Sequence, residues 1–378
     1  MKSNMKQAAQ ESRQDNGLPP PVPALADLYR MRDPGSEIKQ FVPLDRNERV
    51  APLPAWFIDR LRASLESAIL TSYPITDELY RKLSLKLEIP QEHLLLTTGS
   101  DAAIKALYHA YVRPGDKVVM LDPSYAMYAV YAQMFQAEAC KVPFDEHLGL
   151  DIQQLSESIV PGVRLVIIAN PNQPTATILS EEVLIQLAER ARQVNALLAV
   201  DEAYYPFYPH TIFPKIKEIP NLVVTRTFSK AAGLAGLRVG LVGGHAQVIA
   251  NLFKVRSAHD VNSLAAMCAN HIIDCPEIVD DYVKQVRAGA DLLAERARQV
   301  GLVPLPTPTN FMLIRVGHRC SPKLLIEKLH SVGYIVKGPF GSPCLADCIR
   351  VTLGPPEVMA SFADSLEKVL SDVSESEV

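Results

Sequence analysis

The chain has 378 residues, of which 48% are hydrophobic and 21% are charged, and its formal net charge is -4. This length exceeds what one simple core needs and predicts a large and a small lobe with a cleft between them. The composition is that of a globular protein, and the slight negative charge provides no broad positive field for DNA or an anionic membrane. We therefore expect small-molecule ligands, and no nucleic acid or membrane partner.

The six cysteines form neither a CxxC pair nor the dense framework of small secreted domains, which predicts reduced thiols. Cys344 and Cys348 lack a second Cys/His pair, so we expect buried small side chains and no metal site. The N-terminal residues lack the apolar core of a signal peptide, and no stretch approaches the roughly 20 apolar residues of a membrane helix. These features predict a cytoplasmic protein.

From residue 94 onward, short apolar runs alternate with longer helical patterns. Several runs are apolar on both faces, which predicts the strands of a largely parallel, helix-covered sheet. The predicted strands are residues 94–98, 117–121, 164–169, 196–200, 221–226 and 239–242, and the predicted helices include 101–111, 180–193 and 246–255. Ser180 is a plausible N-cap. This βαβα order predicts an α/β large domain.

The flanking segments differ from this pattern. Residues 276–300 predict a long charged helix, followed by strands at 311–316 and 349–353 and helices at 323–330 and 357–371, as in a smaller α+β lobe. The predicted domains are a flexible segment at 1–30, an N-terminal arm at 31–73 that is part of the small lobe, a large domain at 74–275 and a small C-terminal domain at 276–378.

Two ionisable residues follow predicted strands of the large domain. Lys230 comes after the strand 221–226 and is flanked by hydroxyl groups, so desolvation is expected to lower its pKa toward nucleophilic use. Asp201 sits at the carboxyl end of an apolar strand, where α/β sheets place ligands. Tyr204 follows three residues later. Lys230 and Asp201 each have a simpler interpretation: Lys230 as a solvated loop lysine, and Asp201 as an aspartate that caps the next helix.

An anion site is predicted where a strand runs directly into a helix at TTGSDAA, residues 97–103. Gly99, Ser100 and Asp101 lie at the helix N-terminus, whose free amides favour an anion. Further donors and a fixed positive charge are expected from Thr227, Ser229 and Arg238. Tyr125, in the loop after the strand 117–121, is a candidate for stacking on a ring, and Arg350 for gripping a carboxylate. The simpler interpretation of Arg350 is a surface strand arginine.

Together these residues meet the demands of pyridoxal 5′-phosphate (PLP). Its aldehyde needs an amine (Lys230), its ring nitrogen an anion (Asp201), its phenolic oxygen a donor (Tyr204), and its phosphate backbone amides with a cation. The sequence therefore predicts PLP as the cofactor, with Lys230 as the lysine that forms the Schiff base.

Residues 45–353 resemble the fold type I PLP aminotransferases of class I/II, and within them the histidinol-phosphate aminotransferase group. The matching segments are SYP at 72–74, GSDAA at 99–103, NPNQPTAT at 170–177, DEAYYPF at 201–207, TFSKAAGLAGLRVG at 227–240, TPTNFML at 307–313 and IRVTLG at 349–354. The resemblance implies a homodimer in which Tyr73 reaches the PLP phosphate of the other subunit. It also implies that Asn47 and Asn310 lie near the substrate.

Three positions depart from the family pattern. Gln173 replaces an asparagine expected to bond to the PLP phenolic oxygen, and Ala176 replaces a glycine; if that position needs a positive φ, the alanine costs about 1–2 kcal/mol. Lys337 stands where an arginine usually holds the substrate phosphate, so the bidentate geometry is lost while the charge is kept.

The resemblance implies a transaminase in which Lys230 carries a proton between the substrate Cα and the cofactor. A decarboxylase of an O-phosphoamino acid has nearly the same cofactor residues and is the main alternative. A non-catalytic ligand-binding module on the same scaffold is a second one, although the lysine is retained and no fused DNA-binding domain is evident.

Overall fold

The computed structural model describes residues 21–26, 28 and 40–376, with side chains up to residue 372. Most of the segment predicted to be flexible, 1–30, lies outside the described residues. A helical turn, α1, covers Pro23–Ala26. Continuous structure begins just before β1 (Val42–Leu44) and continues through α2 (Ala55–Ala63) and α3 (Ser67–Thr71) into the large lobe.

A seven-stranded sheet forms the centre of the large lobe. Its strands are β2 (Leu94–Thr97), β3 (Lys117–Asp122), β4 (Glu138–Pro143), β5 (Val163–Ala169), β6 (Leu197–Asp201), β7 (Leu222–Thr227) and β8 (Gly240–Gly244). Their spatial order is β2-β8-β7-β6-β5-β3-β4. The neighbours from β7 to β4 are parallel, whereas β8 is antiparallel to both β7 and β2. The predicted α/β fold with a mostly parallel sheet is confirmed.

Helices cover both faces of this sheet. They are α4 (Asp77–Leu87), α5 (Gly99–Tyr111), α6 (Ala126–Met134), α7 (Ile152–Glu157), α8 (Glu181–Gln193), α9 (Ala246–Val255) and α10 (Ser263–Asp274). Successive side chains of β5 enter different cores: Val166 and Ile168 join one, Leu165 and Ile167 the other. This two-sided burial explains the continuous apolar runs in the sequence. The predicted N-cap is also confirmed, because the Ser180 side chain accepts from the Val183 amide.

The small lobe consists of two small sheets and three helices. Its elements are α11 (Glu277–Gln299), β9 (Val303–Pro304), β10 (Phe311–Arg315), α12 (Pro322–Ser331), β11 (Tyr334–Val336), β12 (Cys348–Thr352) and α13 (Pro356–Ser376). β10 is the central, antiparallel strand between β12 and β9. β1 pairs in parallel with β11, so residues 42–44 of the predicted arm lie against this lobe.

Parts of the sequence interpretation were wrong in detail. The βαβα order fails between β7 and β8, which are joined by the loop that carries Lys230 and a single turn of 3-10 helix at Ala235–Leu237. β4 and the helices α2, α4, α6 and α10 were not predicted. In the described part of the chain, no helix is long and apolar enough to cross a membrane. Cys140, Cys268, Cys275, Cys344 and Cys348 are free thiols, and Cys344 and Cys348 are buried as expected.

Candidate active site

Lys230 lies in the loop between β7 and β8, at the carboxyl edge of the parallel strands. Its Nζ donates to the backbone carbonyl of Arg46 at 2.9 Å, which ties the loop to the arm. Burial lowers the pKa of Lys230 to about 8, and the positive charges of Arg350 and Arg238 act in the same direction. A part of this amine is therefore unprotonated, and hence nucleophilic, near neutral pH.

Asp201 is the last residue of β6 and is only 5% exposed. Its two carboxylate oxygens accept hydrogen bonds from Tyr128 Oη at 2.9 Å and from Thr225 Oγ1 at 2.8 Å. Burial raises the pKa of Asp201, while the two hydroxyl donors act to lower it. The chain continues into turns, so the alternative of a helix cap is wrong. Since both donors are neutral, the buried carboxylate is suited to a cationic partner such as a protonated ring nitrogen.

The start of α5 lies against Arg238. Gly99 has a φ of 78°, and a Cβ on it would lie 2.7 Å from Nη2 of Arg238, so the guanidinium rests on bare backbone. Nη1 of Arg238 donates to Ser229 Oγ at 3.2 Å, and the Ser229 amide donates to Thr227 Oγ1 at 3.1 Å. The first amides of a helix have no partner within the helix. Amides, hydroxyls and a cation thus meet in one place, which is the donor set that a phosphate requires.

The antiparallel strand β8 brings this cradle close to the lysine loop. A Cβ on Gly240 would lie 2.3 Å from the carbonyl carbon of Gly99 and 2.5 Å from the amide nitrogen of Ser100. Only glycine permits that approach of the strand to the helix start. Gly99, Ser100, Thr227, Ser229 and Arg238 are therefore brought together, as the sequence predicted for an anion site.

Asp101, in the first turn of α5, points to two tyrosines. Its Oδ1 accepts from Tyr125 Oη at 3.3 Å and its Oδ2 from Tyr131 Oη at 2.8 Å. The Tyr125 ring also packs edge to face on Tyr128, with ring centroids 5.5 Å apart. These contacts fix the orientation of the aromatic ring that the sequence suggested for stacking.

Tyr204 and Asn47 form a fully buried pair between the lobes. Asn47 has a φ of 56°, and its Nδ2 donates to Tyr204 Oη at 2.9 Å. The Asn47 amide donates to Thr352 Oγ1 and its carbonyl accepts from Asn310 Nδ2, both at 2.9 Å. Burial raises the pKa of Tyr204 to about 12, so its hydroxyl stays protonated. Because its oxygen accepts from Asn47, its hydrogen can be donated to another acceptor.

The loop after β5 is held by Asn172. Its Oδ1 accepts from Ser124 Oγ at 2.6 Å, and its Nδ2 donates to Thr175 Oγ1 at 2.9 Å. Gln173 is half-buried beside it. Ala176 has a φ of 62°, so the condition stated from the sequence holds and the alanine carries a cost of about 1–2 kcal/mol.

Arg350 in β12 is only 4% exposed, so the surface interpretation is wrong. Its Nη2 donates to the carbonyl of Asp45 at 2.6 Å, and its guanidinium carbon lies 5.3 Å from the centre of the Phe311 ring. Among the described residues, its Nε and Nη1 have no hydrogen-bond partner, and neither has the buried Oδ1 of Asn310. Burial lowers the pKa of Arg350, yet a guanidinium stays charged at neutral pH. Buried donors without acceptors are costly, which indicates a place for an anionic ligand.

Two predicted residues stand apart from this buried group. Lys337 is exposed, although its backbone pairs with that of Arg350 in both directions at 2.9 and 2.8 Å. Tyr73 is 78% exposed and stacks on His259 with ring centroids 4.4 Å apart. Neither side chain contacts the Lys230 amine within this single chain.

Sequence reasoning missed Tyr128 and Thr225, which hold Asp201. A signal was present for each. Tyr125, Tyr128 and Tyr131 are spaced three apart in SYAMYAVY, which places them along one face of a helix. Thr225 is the register partner of Asp201 across β6 and β7, and that pairing needs the alignment of two strands as well as their identification.

Comparison with known proteins places these features in a family. The family model for class I and II aminotransferases matches residues 48–366. Histidinol-phosphate aminotransferase 1 of Ralstonia nicotianae is 34% identical over 352 residues, covering 91% of this chain and 92% of that protein. Histidinol-phosphate aminotransferase 1 of Idiomarina loihiensis is 31% identical over 351 residues, covering 90% of this chain and 94% of that protein.

Solved structures share the fold. Histidinol-phosphate aminotransferase from Sinorhizobium meliloti in complex with pyridoxal-5′-phosphate matches with a TM-score of 0.83 at 21% identity, covering 94% of this chain and 99% of that chain. A double mutant of Thermus thermophilus aspartate aminotransferase matches with a TM-score of 0.75 at 22% identity, covering 87% of this chain and 92% of that chain. At these identities the likeness concerns the fold.

The buried site fits the cofactor of this family. A lysine with a lowered pKa, a buried carboxylate and a cradle with a cation match the aldehyde, ring nitrogen and phosphate of PLP. The matches to the family model and to relatives over most of the chain agree with that site. The chain belongs to the class I and II aminotransferase family and is a PLP-dependent aminotransferase.

Proposed function

We propose that this aminotransferase acts on a small amine that carries a phosphate, and that histidinol phosphate is the first substrate to test. The names of its relatives support this choice. The observation that carries it is the pair of unpartnered, buried nitrogen atoms on Arg350. Such a cation is stabilised by an anionic group on the substrate, and a phosphate or carboxylate meets its planar fork.

The substrate side of the site extends from Arg350 toward Asn310, Asn47 and Lys337. The unpartnered Oδ1 of Asn310 would accept from a donor on the substrate, while Asn47 is held beside it. Lys337 forms a β-bridge with Arg350. Its side chain is exposed and would supply a second positive charge at the mouth of the site. A cation at the mouth suits a substrate whose anionic group lies far from the reacting amine.

The cofactor side is assigned to the large lobe. Asp201 would face the ring nitrogen and Tyr125 the ring, while Tyr204, with Gln173, would donate to the phenolic oxygen. The phosphate would be held by five residues, which are Gly99, Ser100, Thr227, Ser229 and Arg238. Asp101 would act by orienting Tyr125. When bound, PLP supplies an aldehyde for amines and a ring that withdraws electrons from the substrate Cα.

Lys230 is the residue that we assign to proton transfer. Its pKa of about 8 allows the Nζ to take a proton from the substrate Cα near neutral pH and to pass it to the cofactor. The bond to the Arg46 carbonyl would hold the Nζ in place between these events. Decarboxylation, the main alternative, receives no support from the aminotransferase relatives.

The same proposal includes a homodimer in the cytoplasm. Tyr73, Ile75 and Leu70 are 78%, 80% and 71% exposed, and a groove of about 450 Å³ opens beside them. A second copy that covers this apolar surface would bring its Tyr73 to the phosphate cradle of the first. The free thiols of Cys140, Cys268, Cys275, Cys344 and Cys348 suit a reducing compartment.

The test is a single-turnover incubation of the PLP-loaded protein with histidinol phosphate, histidinol, phosphoserine, phosphothreonine and glutamate. The visible spectrum of the cofactor and the released CO2 are followed together. We expect conversion to the pyridoxamine form without CO2, and faster with histidinol phosphate than with histidinol. Equal rates with both would contradict the phosphate preference, and release of CO2 would contradict transamination.

A further inference from the structure

Tyr128 is a buried residue that the proposed function leaves without a role. It lies in the first turn of α6 and is 0% exposed, and its Oη donates to Oδ2 of Asp201 at 2.9 Å. A buried phenol of this kind needs a partner, and many partners would satisfy it. Here the partner is the one carboxylate that ends the central strand of the site.

Each oxygen of the Asp201 carboxylate accepts one hydrogen bond. Tyr128 bonds to Oδ2 and Thr225 to Oδ1, so one donor comes from a helix and the other from the neighbouring strand. Hydrogen bonds to the charged form of a carboxyl group favour that form. Because the donors approach from two elements, they also fix the plane of the carboxylate, while two lone pairs stay open to a third partner.

Two carboxylates near Asp201 have partners of their own, yet their negative charges still raise its pKa. Glu202, the next residue, is paired with Arg226 at 2.9 Å. Asp101 accepts hydrogen bonds from Tyr125 and Tyr131. Lys230 and Asp201 attract each other, and this attraction raises the pKa of Lys230. Tyr128 is therefore the side chain of α6 that donates a hydrogen bond to the Asp201 carboxylate.

We propose that Tyr128 is a positioning residue that keeps Asp201 ionised and oriented, and thereby keeps the ring nitrogen of bound PLP protonated. The inference rests on the proposed function, in which Asp201 faces that nitrogen. Loss of the Tyr128 hydroxyl would remove one hydrogen bond to the Asp201 carboxylate and make that carboxylate a stronger base. The shared proton would then move from the ring nitrogen toward Asp201, and the ring would withdraw electrons less well.

The experiment compares Tyr128→Phe with Tyr108→Phe in the full-length protein loaded with PLP that is 15N-labelled at the ring nitrogen. Tyr108 is a matched control, because it is equally buried and its hydroxyl donates to the backbone carbonyl of Tyr128 at 2.8 Å. Both changes remove one buried hydroxyl and keep the ring. The measured quantities are the 15N chemical shift across a pH series and the dissociation constant of PLP.

We expect Tyr128→Phe to move the 15N shift toward the value of unprotonated pyridine and to weaken PLP binding roughly tenfold, as for one hydrogen bond to a charged group. Tyr108→Phe should keep the wild-type 15N shift. Thr225→Val removes the other donor and should move the shift in the same direction. A wild-type shift in Tyr128→Phe, or equal changes in both tyrosine variants, would overturn the proposal.

Asp201→Asn separates this inference from the proposed function. If that change leaves the 15N shift as in the wild type, then Asp201 does not face the ring nitrogen and the assigned site is wrong. If Asp201→Asn moves the shift and Tyr128→Phe does not, the site stands and only the role of Tyr128 fails.

Discussion

The cofactor side and the substrate side of the site differ in how completely their polar atoms are paired. Asp201 accepts two hydroxyl donors, Arg238 bonds to Ser229, and Tyr204 accepts from Asn47. In the small lobe, by contrast, two nitrogens of Arg350 and the Oδ1 of Asn310 are buried with no hydrogen-bond partner in the part of the chain that the structure describes. These side chains of the cofactor side are therefore paired within the protein, whereas the small lobe holds buried polar atoms that a ligand can pair.

This difference has a physical meaning. A finished hydrogen-bond network lowers the free energy of the folded protein by itself, while buried unpaired groups raise it until a ligand pairs them. We expect the loss of a hydrogen-bonded side chain on the cofactor side to cost both stability and activity. Changes on the substrate side should cost activity and improve stability. Variants on both sides test whether this difference holds.

Lys230→Ala removes the amine that serves both the cofactor side and the substrate side of the site. Transamination should fall about a thousandfold or more, since the general acid and base is lost. Single-turnover conversion of the cofactor with the best donor measures this. Lys254→Ala is the control, because Lys254 is exposed and bonds only to Asn251 on its own helix. Substantial turnover in the Lys230 variant would contradict the assignment.

Arg350→Met removes the unpaired cation. The ratio kcat/KM for an anionic substrate should fall roughly a hundredfold, which corresponds to hydrogen bonds to a charged group. The protein without cofactor should gain about 1 kcal/mol in free energy of unfolding, because two unpartnered donors disappear. Steady-state kinetics and urea unfolding measure the two effects.

Arg315→Met is the control for Arg350. Arg315 lies on the adjacent strand β10 and is paired with Asp347 at 2.9 Å, so its loss should lower stability and leave kcat/KM unchanged. If Arg350→Met were the more destabilising of the two, Arg350 would be a structural residue and the contrast between the lobes would fail.

The lowered pKa of Lys230 predicts a dependence of stability on pH. The pKa falls from an ordinary 10.5 to about 8, so between these values the unfolded chain binds more protons and stability rises with pH. Below about pH 8 the full penalty is present, on the order of 3 kcal/mol. Lys230→Met lacks it, so without cofactor the stability of this variant relative to the wild type should decline between about pH 8 and 10.5. A constant difference in urea unfolding would contradict the shift.

Lys337→Gln tests the mouth of the substrate side. Lys337 is exposed, so its effect should be modest: KM for a phosphorylated substrate should rise roughly tenfold, and KM for the unphosphorylated analogue should stay unchanged. Lys323→Gln is the control, because Lys323 is an exposed lysine of α12 whose Nζ lies 4.0 Å from Oε1 of Glu327. Equal effects on both substrates would remove Lys337 from phosphate recognition.

The same contrast explains what could be predicted from the sequence. Lys230 and Asp201 were found because each follows an apolar strand, a local signal. β4 was missed because it is an edge strand in which only Val142 is buried, so it forms no apolar run. The direction of β8 was missed because the segment 228–239 is long enough for a crossover helix, yet it folds into the lysine loop. Tyr128 and Thr225 were missed because their role exists only across elements.

Ala176 gives the smallest and most local test, on the cofactor side. Its φ of 62° is unfavourable for alanine and readily adopted by glycine. Ala176→Gly should therefore raise the free energy of unfolding by about 0.5–1 kcal/mol, because relief of strain exceeds the added entropy of the unfolded chain. Gly115→Ala is a matched control: its φ is 86° with no atom within 4 Å of a new Cβ, so strain alone should lower stability there. If Ala176→Gly destabilises the protein, then the methyl group of Ala176, which packs in the small cluster with Tyr204 and Phe311, contributes more than the backbone costs.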